Sequence, residues 1–173
     1  MNEKAVVAAQ IGRPLRAEAG IEVRCHLGLP VVVSVPPILD DGTPFPTRYW
    51  LSCPLAGRRI ARLESGGAIS RLESFVESNV ELSDALAEAN QRYERERAEA
   101  VPAGSSPAPA GGIGGNQGEG LKCLHAHYAD TAAGNRNPVG EIVRPFVEPL
   151  DCSMPCVRDG DGVEVNPDWR EPG

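Results

Sequence analysis

The apolar positions of residues 1–100 change period along the chain, and each change predicts a new element. Residues 3–11, EKAVVAAQI, are helix formers behind Asn2, an N-cap type, and Gly12 supplies a stop. Two β-rich runs follow at 21–25 and 31–35, and the HLGLP between them reads as a hairpin connection. PPILDDGTPFPT is turn chemistry, with Asp41-Gly42 and two prolines fixing the backbone, and RYWLSC at 48–53 reads as a third strand. Pro54 suits the first position of a helix that turns Leu55, Ile60 and Leu63 to one face and stops at Gly66-Gly67. AISRLESFVES continues as a helix through Ile69, Leu72, Phe75 and Val76. A longer helix runs from about Glu81 to Ala100 on a stripe of Leu82, Leu86, Ala89 and Tyr93.

Beyond residue 100 the pattern lapses and resumes. Residues 101–119, VPAGSSPAPAGGIGGNQGE, hold too little apolar surface to offset the entropy of ordering, which predicts a mobile linker. Its GGIGG follows proline-rich coil rather than a strand and lacks the phosphate-loop lysine, so it is not a nucleotide site. GLKCLHAHYADTAAG at 120–134 is bounded by glycines and reads as a helix. NRNPVGEIVRPFV offers Asn137 as a cap, Pro138 at the first helical position and Pro145 as a breaker. From Pro149 onward, proline, glycine and acids predict an irregular tail over 149–173. The expected fold is a single α+β domain over 1–148. In it, a small antiparallel three-strand meander, 21–53, is packed by helices from 54–100 and 121–147.

Composition adjusts this outline. Aromatic residues are 5% of the chain, so the core must rest on Val, Leu, Ile and Ala. Gly (19) and Pro (16) are numerous enough to predict long irregular segments. The formal net charge is −7, and the bases are interleaved with acids, as in RYERERAEA. That pattern is a solvated helix face, not the basic patch of a nucleic-acid binder, and the charged helix 81–100 is the surface offered to a protein partner. LPVVVSVPPIL is too short and too rich in proline to insert in a membrane. The N-terminus lacks the basic-then-apolar layout of a secretory leader, so a cytoplasmic location is expected. In a reducing compartment the five cysteines are buried apolar residues, metal ligands or a reactive site rather than a disulfide framework.

The candidate chemistry lies in KCLHAHYAD. On a regular helix Cys123 and His127 stand about 40° apart, whereas His125 stands about 160° from His127. His125 then falls on the packed face with Leu121, Leu124, Tyr128 and Ala132. On a strand all three would share one face. Structural zinc takes four thiolate or imidazole ligands. Cys25 and Cys53 end the first and third strands, which run parallel in a meander, so their ends can lie on one side of the sheet. Cys25, Cys53, Cys123 and His127 are therefore the expected zinc ligands, with buried apolar cysteines as the alternative. His26 points to the other face of its strand. Cys152 and Cys156 are read as a further ligand pair, an oxidisable pair, or incidental cysteines of a mobile tail.

QIGRP, RCHLGLPVVV, DGTPFPTRYWLSCPL, ISRLES, GIGG, KCLHAHYAD and NPVGE occur in this order over most of residues 6–143. Together they resemble an actinobacterial family known as domain of unknown function 501. The resemblance implies that Cys25, Cys53, Cys123, His125 and His127 belong to family motifs, which favours a metal site. It supplies no activity. It also implies a cell-envelope or division setting, since such proteins tend to be encoded near a septum-formation-initiator-like protein and an exopolyphosphatase-like enzyme. Two functions follow. The first is a zinc-stabilised binding or interaction module, consistent with the absence of nucleotide, HExxH or nucleophile-elbow motifs. The second is a small zinc-dependent hydrolase or lyase using metal-bound water, with His125, Asp130 and Asp41 as candidate bases. A redox-sensing thiol protein is a third class.

Overall fold

In the computed structural model, which describes residues 2–105, 107–118 and 120–172, the chain is α+β. Helix α1 (Glu3–Ile11) begins where Asn2 Oδ1 accepts the amides of Lys4 and Ala5, and it ends on left-handed Gly12. Strands β1 (Gly20–Arg24), β2 (Pro30–Ser34) and β3 (Tyr49–Leu51) form an antiparallel sheet in that order. Central β2 places Val31, Val32 and Val33 wholly out of solvent, as its continuous apolar run requires. The turn before β3 is fixed by Asp41, whose carboxylate accepts the Thr43 amide at 3.0 Å and faces Arg16 at 2.5 Å.

Helix α2 (Pro54–Ser65) starts behind Cys53 as its cap, and α3 (Ala68–Glu77) restarts after left-handed Gly67. Helix α4 (Val80–Glu99) is capped by Asn79 and buries Leu86, Ala89 and Tyr93, as its stripe predicts. The Tyr93 hydroxyl accepts the Arg48 amide at 2.5 Å, which ties α4 to the entry of β3. Helices α5 (Leu124–Ala132) and α6 (Pro138–Val147) follow, and α5 packs against β3, α2 and α6. Pro145, expected to break α6, lies inside it. The proline removes one backbone bond, but Val143 and Val147 on either side are buried, and that apolar face carries the helix through its last turn.

Between α4 and α5 the one regular element among the described residues is a 3-10 turn at Ile113–Gly115. Ile113 is fully buried there, and its amide donates to Asn90 Oδ1 at 2.9 Å. Residues 106 and 119 of the expected linker lie outside the described residues.

The tail departs from expectation. Strands β4 (Val157–Asp159) and β5 (Val163–Val165) pair as an antiparallel hairpin that packs on α1, and Cys156, Val157 and Trp169 are buried. The arginines of α2 hold it in place. Arg59 donates to the carbonyls of Val147 and Pro149, Arg62 pairs with Glu171, and Arg58 stacks over Trp169. Strands of three residues are too short to show a period, which is why proline and glycine dominate the reading there.

Candidate metal centre

Helix α5 starts one residue too late for the wheel that pairs Cys123 with His127. Cys123 is its N-cap, in extended backbone at φ −155° and ψ 114°, so the 100° step does not carry across it. Cys123 Sγ instead stands within 4.8 Å of a ring nitrogen of His125. Across the fold, α2 contributes Glu64. Among the described residues, Glu64, Cys123 and His125 are the one group of three or more such side chains whose ligand atoms all lie within 4.8 Å of one another.

Each side chain is oriented by backbone. His125 Nε2 sits 3.2 Å from the Gly57 carbonyl, which can only accept, so Nε2 carries a hydrogen and Nδ1 is turned to the cluster. Nδ1 lies 3.3 Å from Glu64 Oε1, which accepts the Leu124 amide at 2.7 Å. That places a carboxylate at the N-terminus of α5, where the helix dipole favours it. All three residues are half-buried.

The hydrogen bond to Cys123 and the charge of Glu64 outweigh burial and push His125 up to about 9. Burial alone would raise the Cys123 thiol, but bonds from His125 and the Ala126 amide hold it below its ordinary value. The two shifts run in opposite directions, the imidazole up and the thiol down, as expected of two groups that stabilise each other's charged forms. Displacing the imidazolium proton leaves one nitrogen, one sulfur and one oxygen donor, a set that zinc accepts. The bond from Nε2–H to the Gly57 carbonyl is the kind of outer contact that fixes a metal-ligating histidine.

The other expected ligands lie elsewhere. His127 is 2% exposed, and its Nδ1 donates to Asn137 Oδ1 at 3.1 Å. The same oxygen caps α6 by accepting the Gly140 amide. Asn137 Nδ2 donates to Asp130 Oδ2 at 3.0 Å, and Arg92 reaches that oxygen at 2.6 Å. Burial pushes His127 down to about 4, so it is neutral. The structure thus puts His127 in the packed network and His125 in the ligand group, the reverse of the expected placement. Cys25 and Cys53 do approach one cavity, but they line it with Cys152 and Cys156 rather than with Cys123 or His127. Asp130 is fully buried, and Asp41 is spent on its own turn.

Glu64 escapes sequence reading because its contact spans the segment between α4 and α5. Cys123 could have been read as a cap, since it stands immediately before the apolar start of the helix.

A family model described as a protein of unknown function (DUF501) matches residues 21–145, which include Glu64, Cys123 and His125 and stop short of the tail hairpin. No curated protein and no solved structure matches the chain. Among the described residues, no helix is long and apolar enough to cross a membrane.

Proposed function

The chain belongs to the DUF501 family, and we propose that it is a zinc-stabilised binding module in which Glu64, Cys123 and His125 clamp the start of α5 to α2. One observation carries this reading: three donors gather from the two sides of the segment that joins α4 to α5. Closing that loop costs little more than closing a shorter one, because loop entropy grows slowly with length. Structural zinc contributes on the order of 10 kcal/mol in zinc-finger peptides, so a fraction of that suffices. A protein partner would meet the outer face of α4, where Glu88, Arg95 and Glu99 are exposed opposite the buried stripe. A cell-envelope or division setting enters this proposal through the family resemblance alone.

A zinc-dependent hydrolase or lyase is the second reading, favoured by the ligand count, since three protein ligands leave a fourth position for water. The expected bases speak against it. His125 is itself a ligand, Asp130 is buried under Arg92, and Asp41 is bound to Arg16.

The test is the metal content of the full chain, purified without a metal-binding tag. Cys123→Ser and His125→Ala are expected to lose one equivalent of zinc each and to melt at lower temperature than the wild type. His127→Ala is expected to keep that equivalent. Full zinc in both Cys123→Ser and His125→Ala would remove the clamp.

A further inference from the structure

The four cysteines outside this cluster come from three distant parts of the chain and line one narrow cavity of about 10 Å³. That is room for a single atom-sized guest. Cys25 follows β1, Cys53 caps α2, and Cys152 and Cys156 lie in the tail just before β4; all four are free thiols. Two of the sulfurs already receive N–H donors. Cys152 Sγ accepts the indole N–H of Trp169 at 3.5 Å, and Cys156 Sγ accepts from Gln10 Nε2 at 3.6 Å. Both donors are aimed at tail sulfurs that share the cavity with Cys25 and Cys53.

We propose that Cys25, Cys53, Cys152 and Cys156 bind a zinc ion of their own as a four-thiolate site, separate from the Glu64 cluster, that fastens the tail to the sheet and to α2. Tetrahedral sulfur coordination is the geometry in which structural zinc is closed to water. No three of these sulfurs lie within 4.8 Å of one another, so binding brings them together by side-chain rotation. Cys152 has the most room for this, because it is half-buried beside the exposed residues 153–155, whereas Cys156 is buried. Binding displaces the four thiol protons. Burial raises the Cys53 and Cys156 thiols, but a divalent cation deprotonates the thiols it coordinates outright. This site shares no residue with the clamp proposed above, so either can fail without the other.

The experiment counts zinc in the full chain and reads its ligands by X-ray absorption. Wild type is expected to hold two equivalents. Cys123→Ser is expected to hold one, with a first shell of sulfur only. The double variant Cys152→Ser/Cys156→Ser is expected to lose the sulfur-only shell and to keep the mixed one. Should that double variant fail to fold, a mercurial titration of Cys123→Ser replaces it, with four thiols modified per zinc released. A wild type with one zinc that survives Cys123→Ser and is lost with Cys152 and Cys156 supports this site and rejects the clamp. Cys123→Ser without zinc, a nitrogen or oxygen ligand in its shell, or a Cys152–Cys156 disulfide in anaerobically prepared, zinc-free protein would each overturn the proposal.

Discussion

His125 and His127 are two residues apart on one helix and stand in opposite chemical settings. His125 turns Nδ1 to the Cys123 sulfur and the Glu64 carboxyl group, whereas His127 is neutral inside a hydrogen-bonded chain that runs through Asn137 and Asp130 to Arg92. The chain is costly to interrupt, because Asp130 and Asn137 are wholly buried and their polar groups have no water to turn to. Asp130→Ala leaves the buried Asn137 amide without its acceptor and the Arg92 guanidinium with Glu96 alone. It is expected to destabilise the fold by about 1–3 kcal/mol, the cost of an unsatisfied buried donor. Denaturant unfolding measures this, and zinc content should stay unchanged. A loss below about 1 kcal/mol would mean that water replaces the carboxylate. The helical wheel works from Leu124 onward, where Leu124 and Tyr128 are buried as expected. It also places Asp130 near the His127 side, and the structure joins the two through Asn137. It misassigns the histidines because one residue, Cys123, sits outside the helix.

Between elements, the closest contact at this site is that of α6 on α5. A Cβ added at Gly140 would stand 2.3 Å from the His127 carbonyl oxygen and 2.0 Å from Thr131 Oγ1. The first of these is backbone and cannot rotate away. Alanine normally gains about 1 kcal/mol over glycine inside a helix. Gly140→Ala is nevertheless expected to destabilise by roughly 1–3 kcal/mol or more, since overpacking forces the helices apart. A thermal melt decides the sign, and a higher melting temperature would show that the helices separate without cost. Elements of this kind were legible where caps and periods agree. Asn2, Asn79 and Asn137 mark three helix starts by side-chain capping, and the order of the sheet follows from its short connections. The tail hairpin was not legible, because its strands draw their stability from α1 and α2 rather than from a local pattern.

For the whole molecule, the question is what joins the parts on either side of residues 101–118. No pattern along the chain could pair Glu64 with Cys123, or Cys25 with Cys152, since those meetings are made by the packed fold and not by spacing. The segment itself has one firm anchor at Ile113, and residues 102–104, 107, 108 and 110 before it are exposed. Exposed backbone rich in glycine and proline opens cheaply, so limited proteolysis of the native protein is expected to cut first within 102–110. The two fragments should then stay together. The core crosses the cut, with α5 packed on β3 and α2, and the proposed clamp adds a metal bridge between them. Size-exclusion chromatography of the nicked protein, with and without a strong chelator, separates these contributions. Fragments that co-elute in both conditions are held by packing alone. Fragments that part only after chelation show that the metal carries the join, which is the outcome expected of a core with few aromatic residues. Cleavage first at sites outside 102–110 would instead show that the segment is held more firmly than its composition implies.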